Sequence, residues 1–283
     1  GLWVTLVYTP VAHAAFTSSG FLAKTIGSLD FAGGTVVEIN SGASALALAL
    51  VLGRREGFKR DPMRPHNIPL VLLGAGLLWF GWFGFNAGSA LQASSLAATA
   101  MINTQVATAA AAMSWLLVEK RREGKATTLG IASGAIAGAV AITPACGFVT
   151  PLGALGIGLA GGATSAWAVT KKFKLNYDDS LDVVGVHGIG GLVGMIGIGL
   201  FASKLANSSG ADGLLINGSV SQLEKQLLAS LLTAGFSFIA TWLIATAIQR
   251  TIGFRVSRET ELEGLDTTTH AESAYDINNY NSR

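Results

Sequence analysis

The stretch LDVVGVHGIGGLVGMIGIGLF, residues 181–201, sets one imidazole, His187, in a run over 183–202 that otherwise holds only glycine, methionine and hydrocarbon side chains. At 1.5 Å rise per residue, about 20 such residues cross a hydrocarbon core. Lipid offers the backbone no hydrogen bonds, so a spanning run of this kind is a helix. A titratable group inside it costs at least a few kcal/mol, and such groups face a pore, a cavity or a partner. The stretch therefore predicts a membrane helix and marks His187 as a candidate functional residue.

Composition extends this reading to the whole chain. Of 283 residues half are hydrophobic, 36 are glycine and only 13% are charged, against roughly 25% in ordinary soluble domains. Further apolar stretches lie at 31–52, 68–90, 95–118, 127–146, 151–170 and 226–249. The first residues, GLWVTLVYTPVAHAAF, read as an apolar helix already in progress, without a basic start or a cleavable signal. The fold class expected is an all-α polytopic membrane protein. Residues 1–250 form its transmembrane domain and 251–283 a polar tail.

Basic residues orient the spans, because short cytoplasmic loops collect lysine and arginine. Arg54, Arg55, Lys59, Arg60 and Arg64 fall in one loop, Lys120, Arg121, Arg122 and Lys125 in a second, and Lys171, Lys172 and Lys174 in a third. These loops alternate with connections that hold only Lys24, Lys204 and Lys225. The three basic loops and the C terminus are expected in the cytoplasm. The net charge of +2 comes from loops and forms no basic stripe, which gives nucleic-acid binding no support. Cys146 is the single cysteine, so an intrachain disulfide is excluded, and the four histidines show no metal-ligand spacing. No cofactor is implied.

A second segment answers the first. DFAGGTVVE, Asp30 to Glu38, and DSLDVVGVH, Asp179 to His187, each place an Asp suited to an N-cap eight residues before a titratable side chain in an apolar run. Eight residues advance about 12 Å along a helix. Charge placement starts the two helices on opposite faces, so both side chains approach the midplane. Paired helices of opposite direction are the signature of inverted-repeat transporters, with the substrate path at the repeat interface. The bland alternative is that Glu38 and His187 only tie two helices together. Nearby glycines, Gly185, Gly188, Gly190 and Gly191, fit a thinned pore wall or a tightly packed seam equally well.

In LLWFGWFGFNAGSA, residues 77–90, Trp79, Phe80, Trp82, Phe83 and Phe85 cluster near the outer end of a helix. An interfacial aromatic belt explains them most simply, and an aromatic gate or cation–π site with Ser89 nearby is the functional alternative. A Ser89–His187 hydrolase needs the hydroxyl beside the imidazole, whereas the topology puts Ser89 near the outer mouth and His187 inside the midplane. No enzyme activity is expected.

Together LDFAGGTVVEIN, PHNIPLVLLGAGLLWFGWFGFNAGSA, GKATTLGIASGAIAGAVAITPACGFV, YDDSLDVVGVHGIGG and, in the tail, GFRV with EGLDTTTHAESAY resemble one family, the Amt/Mep/Rh ammonium transporters and especially the bacterial Amt type. The resemblance covers essentially the whole chain, in order. It implies eleven helices built from an inverted five-helix repeat, of which about seven and a half are expected here, from within the fourth helix onward. It also implies a homotrimer with one pore per subunit in the plasma membrane.

Carried over by position, Asp30 resembles the acidic residue that organises the outer vestibule. Phe85 resembles a gate phenylalanine, Ser89 the vestibule hydroxyl and Trp82 a pore-lining aromatic. His187 resembles the second member of a twin-histidine pair. Glu38 stands where most members have the first histidine, and Phe16 falls where many have a vestibule tryptophan. The resemblance implies ammonium as substrate, methylammonium as an accepted analogue, and the lipid bilayer as surroundings. A PII-class signalling protein is the implied partner of the tail, and an ammonium-sensing role is the alternative function.

Overall fold

The computed structural model describes residues 1–273, so the last ten residues of the tail lie outside the described residues. The chain is helical, and its one β-bridge among the described residues joins Val149 to Ala202. A π-helical turn, Val4–Tyr8, runs into α1, Thr9–Phe16. A second π-helical turn, Phe21–Ile26, leads to the loop holding Asp30. Gly34–Ile39 is again π-helical and continues as α2, Asn40–Leu52. Then follow α3, Ile68–Gly88, α4, Ser95–Glu123, α5, Thr128–Ile142, α6, Pro151–Ala168, and the short α7, Lys171–Leu175. The π-helical turn Val184–Gly188 opens α8, Ile189–Phe201. The short α9, Leu214–Asn217, precedes α10, Ser221–Thr251, and α11, Arg258–Glu263.

Among the described residues six of these helical stretches are long and apolar enough to cross a membrane: Gly34–Leu52, Ile68–Gly88, Ser95–Glu123, Pro151–Leu175, Val184–Phe201 and Ser221–Thr251. The span expected over 127–146 is shorter, because α5 ends at Ile142. Pro144 has no N–H to continue the ladder, and the chain turns through Thr143–Gly147 instead. The span expected to begin at 31 begins at Gly34, since Gly33 adopts φ +124°, a conformation closed to other residues at low cost. Conversely α10 extends past 226–249 at both ends, carrying the polar Ser221–Lys225 segment into the helix.

Small residues set the packing. On α5, Gly134 lies against Trp115 and Ala112 of α4, and Gly138 lies against Ala107 and Ala111. Gly158 and Gly162 of α6 meet the same α4 ridge at Ala107 and Ala111. Added side chains there would overlap backbone, so these three helices stand closer than larger residues allow.

All three basic loops gather at one end. Arg55 forms a forked pair with Asp178, Nε to Oδ2 at 2.9 Å and Nη2 to Oδ1 at 2.8 Å. Phe58 stacks on Phe173, and Arg122 donates to the Ala166 carbonyl at 2.8 Å. Burial pushes the Asp178 carboxyl upward, but the Arg55 guanidinium and backbone N–H outweigh it and hold the group below the ordinary carboxylate range. The chain after α10 returns to this end, where Arg255 donates to the carbonyls of Leu52 and Arg54 and pairs with Glu261.

Candidate functional site

The two segments with equal Asp spacing run in opposite directions and cross. Asp30 Oδ1 accepts from the N–H groups of Gly33 and Gly34, and Oδ2 from the N–H and hydroxyl of Thr35. At the basic end Asp179 Oδ2 accepts from the Val184 N–H at 2.7 Å. Each carboxylate thus satisfies donors that the first turn of a helix leaves unpaired. Asp179 lies five positions ahead of the turn it serves, so it caps Val184–Gly188 from the preceding loop rather than from the boundary position.

Both titratable residues sit in π-helical turns, Glu38 in Gly34–Ile39 and His187 in Val184–Gly188. Insertions of this kind often mark functional sites, because they re-aim a side chain within a helix. His187 Nδ1 lies 2.7 Å from Glu38 Oε2. Glu38 is fully buried, and its Oε1 has no hydrogen-bond partner among the described residues.

The crossing that brings them together is built from glycine. A Cβ on Gly42, one turn past Glu38, would overlap the Gly188 backbone, and one on Gly191, one turn past His187, would overlap the Glu38 side chain. The paired spacing, a glycine four residues after each titratable residue, was present in the sequence as its signal.

A cleft of about 620 Å³ opens over this pair, lined by Val37, Glu38, Leu77, Trp82, Phe85 and His187 among others. A second, of about 380 Å³, shares His187, Gly74 and Leu78 with it and reaches Leu181 and Asp182 at the basic end. The two clefts follow one face of α3, and His187 lines both.

The aromatic cluster on α3 divides by exposure. Trp82 is buried, lines the larger cleft and meets Phe85 edge to face at 5.7 Å. Phe80, by contrast, is 77% exposed on the outer surface of the helix. Ser89 follows α3 and donates to the Phe85 carbonyl at 2.9 Å, so its hydroxyl is not joined to an imidazole. Phe16, at the end of α1, is half exposed and lines neither cleft. No cluster of three or more potential metal ligands occurs among the described residues.

Sequence reasoning missed three buried polar residues around the site. Gln226 of α10 clamps the backbone of Leu29, accepting from its N–H and donating to its carbonyl, each at 2.7 Å, directly before Asp30. Asn86 donates to Thr104 beneath the aromatic wall, and Thr143 accepts from the Trp82 indole N–H. Nothing in their local sequences names a partner, since each bonds a residue on another segment of the chain.

A family model described as Ammonium Transporter Family matches residues 1–275. The ammonium transporter of Mycobacterium tuberculosis strain H37Rv is 50% identical over 98% of this chain. The chain spans 61% of that relative's length. Among solved structures, Candida albicans Mep2 superposes with a TM-score of 0.85 at 37% identity, covering 91% of this chain and 58% of the other. A structure titled Sensor Amt Protein superposes at 0.84 with 33% identity, covering 96% and 68%.

Proposed function

Because the chain belongs to the Ammonium Transporter Family, we propose that the protein of which it forms this membrane-spanning part moves ammonium across the plasma membrane, with Glu38 and His187 as its proton relay. The observation that carries the proposal is the 2.7 Å contact between an acid and an imidazole from oppositely directed helices, beside an apolar cleft.

Moving a bare cation through such a passage carries a large desolvation cost that neutral ammonia avoids. Ammonium gathers at the end near Asp30, Phe85 and Ser89, and gives up its proton before the narrow section beside Trp82. With Nδ1 engaged by Glu38, the other ring nitrogen of His187 is left to take that proton. The carboxylate offsets the imidazolium charge while the proton passes on. The basic loops and tail face the cytoplasm, methylammonium is an accepted analogue, and the working unit is a homotrimer.

Ammonium uptake by the full-length protein in liposomes tests the relay. His187→Ala should lower uptake by about a hundredfold, the low end for loss of a positioned acid–base group. Unchanged uptake with equal protein overturns the assignment.

A second reading, ammonium sensing with the tail as the docking site of a PII-class protein, draws on the likeness to the sensor structure and on the Arg255 contacts with residues 52 and 54. The same liposomes separate the two readings, because a pure sensor binds ammonium without flux.

A further inference from the structure

Thr143 and Pro144, at the turn that ends α5, touch all three segments that build the cleft. Thr143 is fully buried, and its hydroxyl accepts from the Trp82 indole N–H at 2.8 Å while donating to the Ala139 carbonyl at 2.8 Å. Pro144 accepts from the Phe31 N–H at 2.9 Å, next to Asp30. Its ring fills the space where a Cβ on Gly34 would stand, at the first turn of the Glu38 segment. It also faces Gly194 of α8, the helix that carries His187 onward.

Two adjacent residues therefore connect the aromatic wall, the Glu38 segment and the His187 helix. Trp82 and Phe85 project from α3; Trp82 packs in a buried cluster with Trp115, Ala139, Val140 and Val186, whereas Phe85 is 39% exposed at the cleft. A hydrogen bond to a hydroxyl whose own rotamer is held by Ala139 selects one orientation. The edge-to-face contact at 5.7 Å then transmits it to Phe85.

Resting on the transport reading above, we propose that Thr143 is a specificity-determining positioning residue: its hydroxyl orients Trp82, and through it Phe85, so that the cleft is held to the width of the smallest ammonium substrate. Thr143 touches no substrate in this scheme. Its effect appears in discrimination between substrates that differ by one methyl group, which apolar walls resolve by their width.

Thr143→Val keeps the shape and removes the acceptor, whereas Thr143→Ser keeps the hydroxyl. In liposomes holding the full-length protein, kcat/KM is measured for ammonium and methylammonium side by side. The valine variant should lower the ammonium-to-methylammonium ratio about threefold or more, and the serine variant should keep the wild-type ratio. An unchanged ratio in the valine variant overturns the inference, as does an equal shift in both variants. Should the valine variant fail to accumulate, Trp82→Phe removes the donor side of the same bond and must lower the ratio likewise, or the inference falls. Absence of flux for both substrates in the wild type would instead refute the transport reading.

Discussion

Gly42 and Gly188 meet backbone to backbone where the two oppositely directed helices cross, with no room for a Cβ on Gly42. That approach puts Glu38 and His187, one turn and one residue away along their helices, within hydrogen-bond distance. Gly42→Ala must push the helices apart and lengthen the contact. Overpacking of this kind costs about 1–3 kcal/mol. We expect a lower melting temperature in detergent together with an uptake loss of about tenfold or more; full activity would show that the close crossing is dispensable.

Glu38→His places two imidazoles at the crossing. If the pair is the proposed relay, transport should persist, because a second ring can exchange protons with His187, but its rate and pH dependence should change. Uptake measured from pH 5 to 8 checks this. A profile superimposable on the wild type would mean the carboxylate has no distinct role.

Asp30→Ala leaves four donors of residues 33–35 without their acceptor. Losing a cap costs about 0.5–2 kcal/mol, and the number of donors places this one at the upper end. The first turn of the Glu38 segment should loosen. Hydrogen exchange at residues 33–38 is expected to rise, with uptake falling alongside; unaltered protection would remove Asp30 from this role.

The Arg55–Asp178 pair sets a pH limit on the basic end. The folded Asp178 carboxyl is held below its ordinary value, so its stabilisation is complete above the unfolded carboxylate range near pH 4 and is lost as pH falls through the lower folded value. Arg55 is 42% exposed, which keeps the contribution to about 1 kcal/mol. Asp178→Asn should therefore melt earlier than wild type at pH 7, and the difference should shrink on acidification below about pH 4. A gap that widens in acid would reverse the assigned sign.

The positions of the spans, the alternation of basic loops and the two Asp-to-titratable spacings were legible in the residues, because hydropathy, charge and helical rise act locally and have fixed periods. The end of α5 at Ile142, just before Pro144, and the loop start before Gly34 were local too, and went unread because apolar composition continued past the backbone break. The family match followed from long motifs in order.

What the linear chain left open was which groups meet. Equal depth allowed Glu38 and His187 to touch but did not require it, and the same glycines served a pore wall and a packed seam alike. Folding resolved both, because Gly42, Gly188 and Gly191 let the helices close to backbone contact and π-helical turns aim both side chains into the gap. Thr143 and Gln226 gained their partners the same way. Each bonds a residue far along the chain, Trp82 and Leu29, and in a buried setting a hydrogen bond depends on which distant group the packing delivers rather than on any neighbour in sequence.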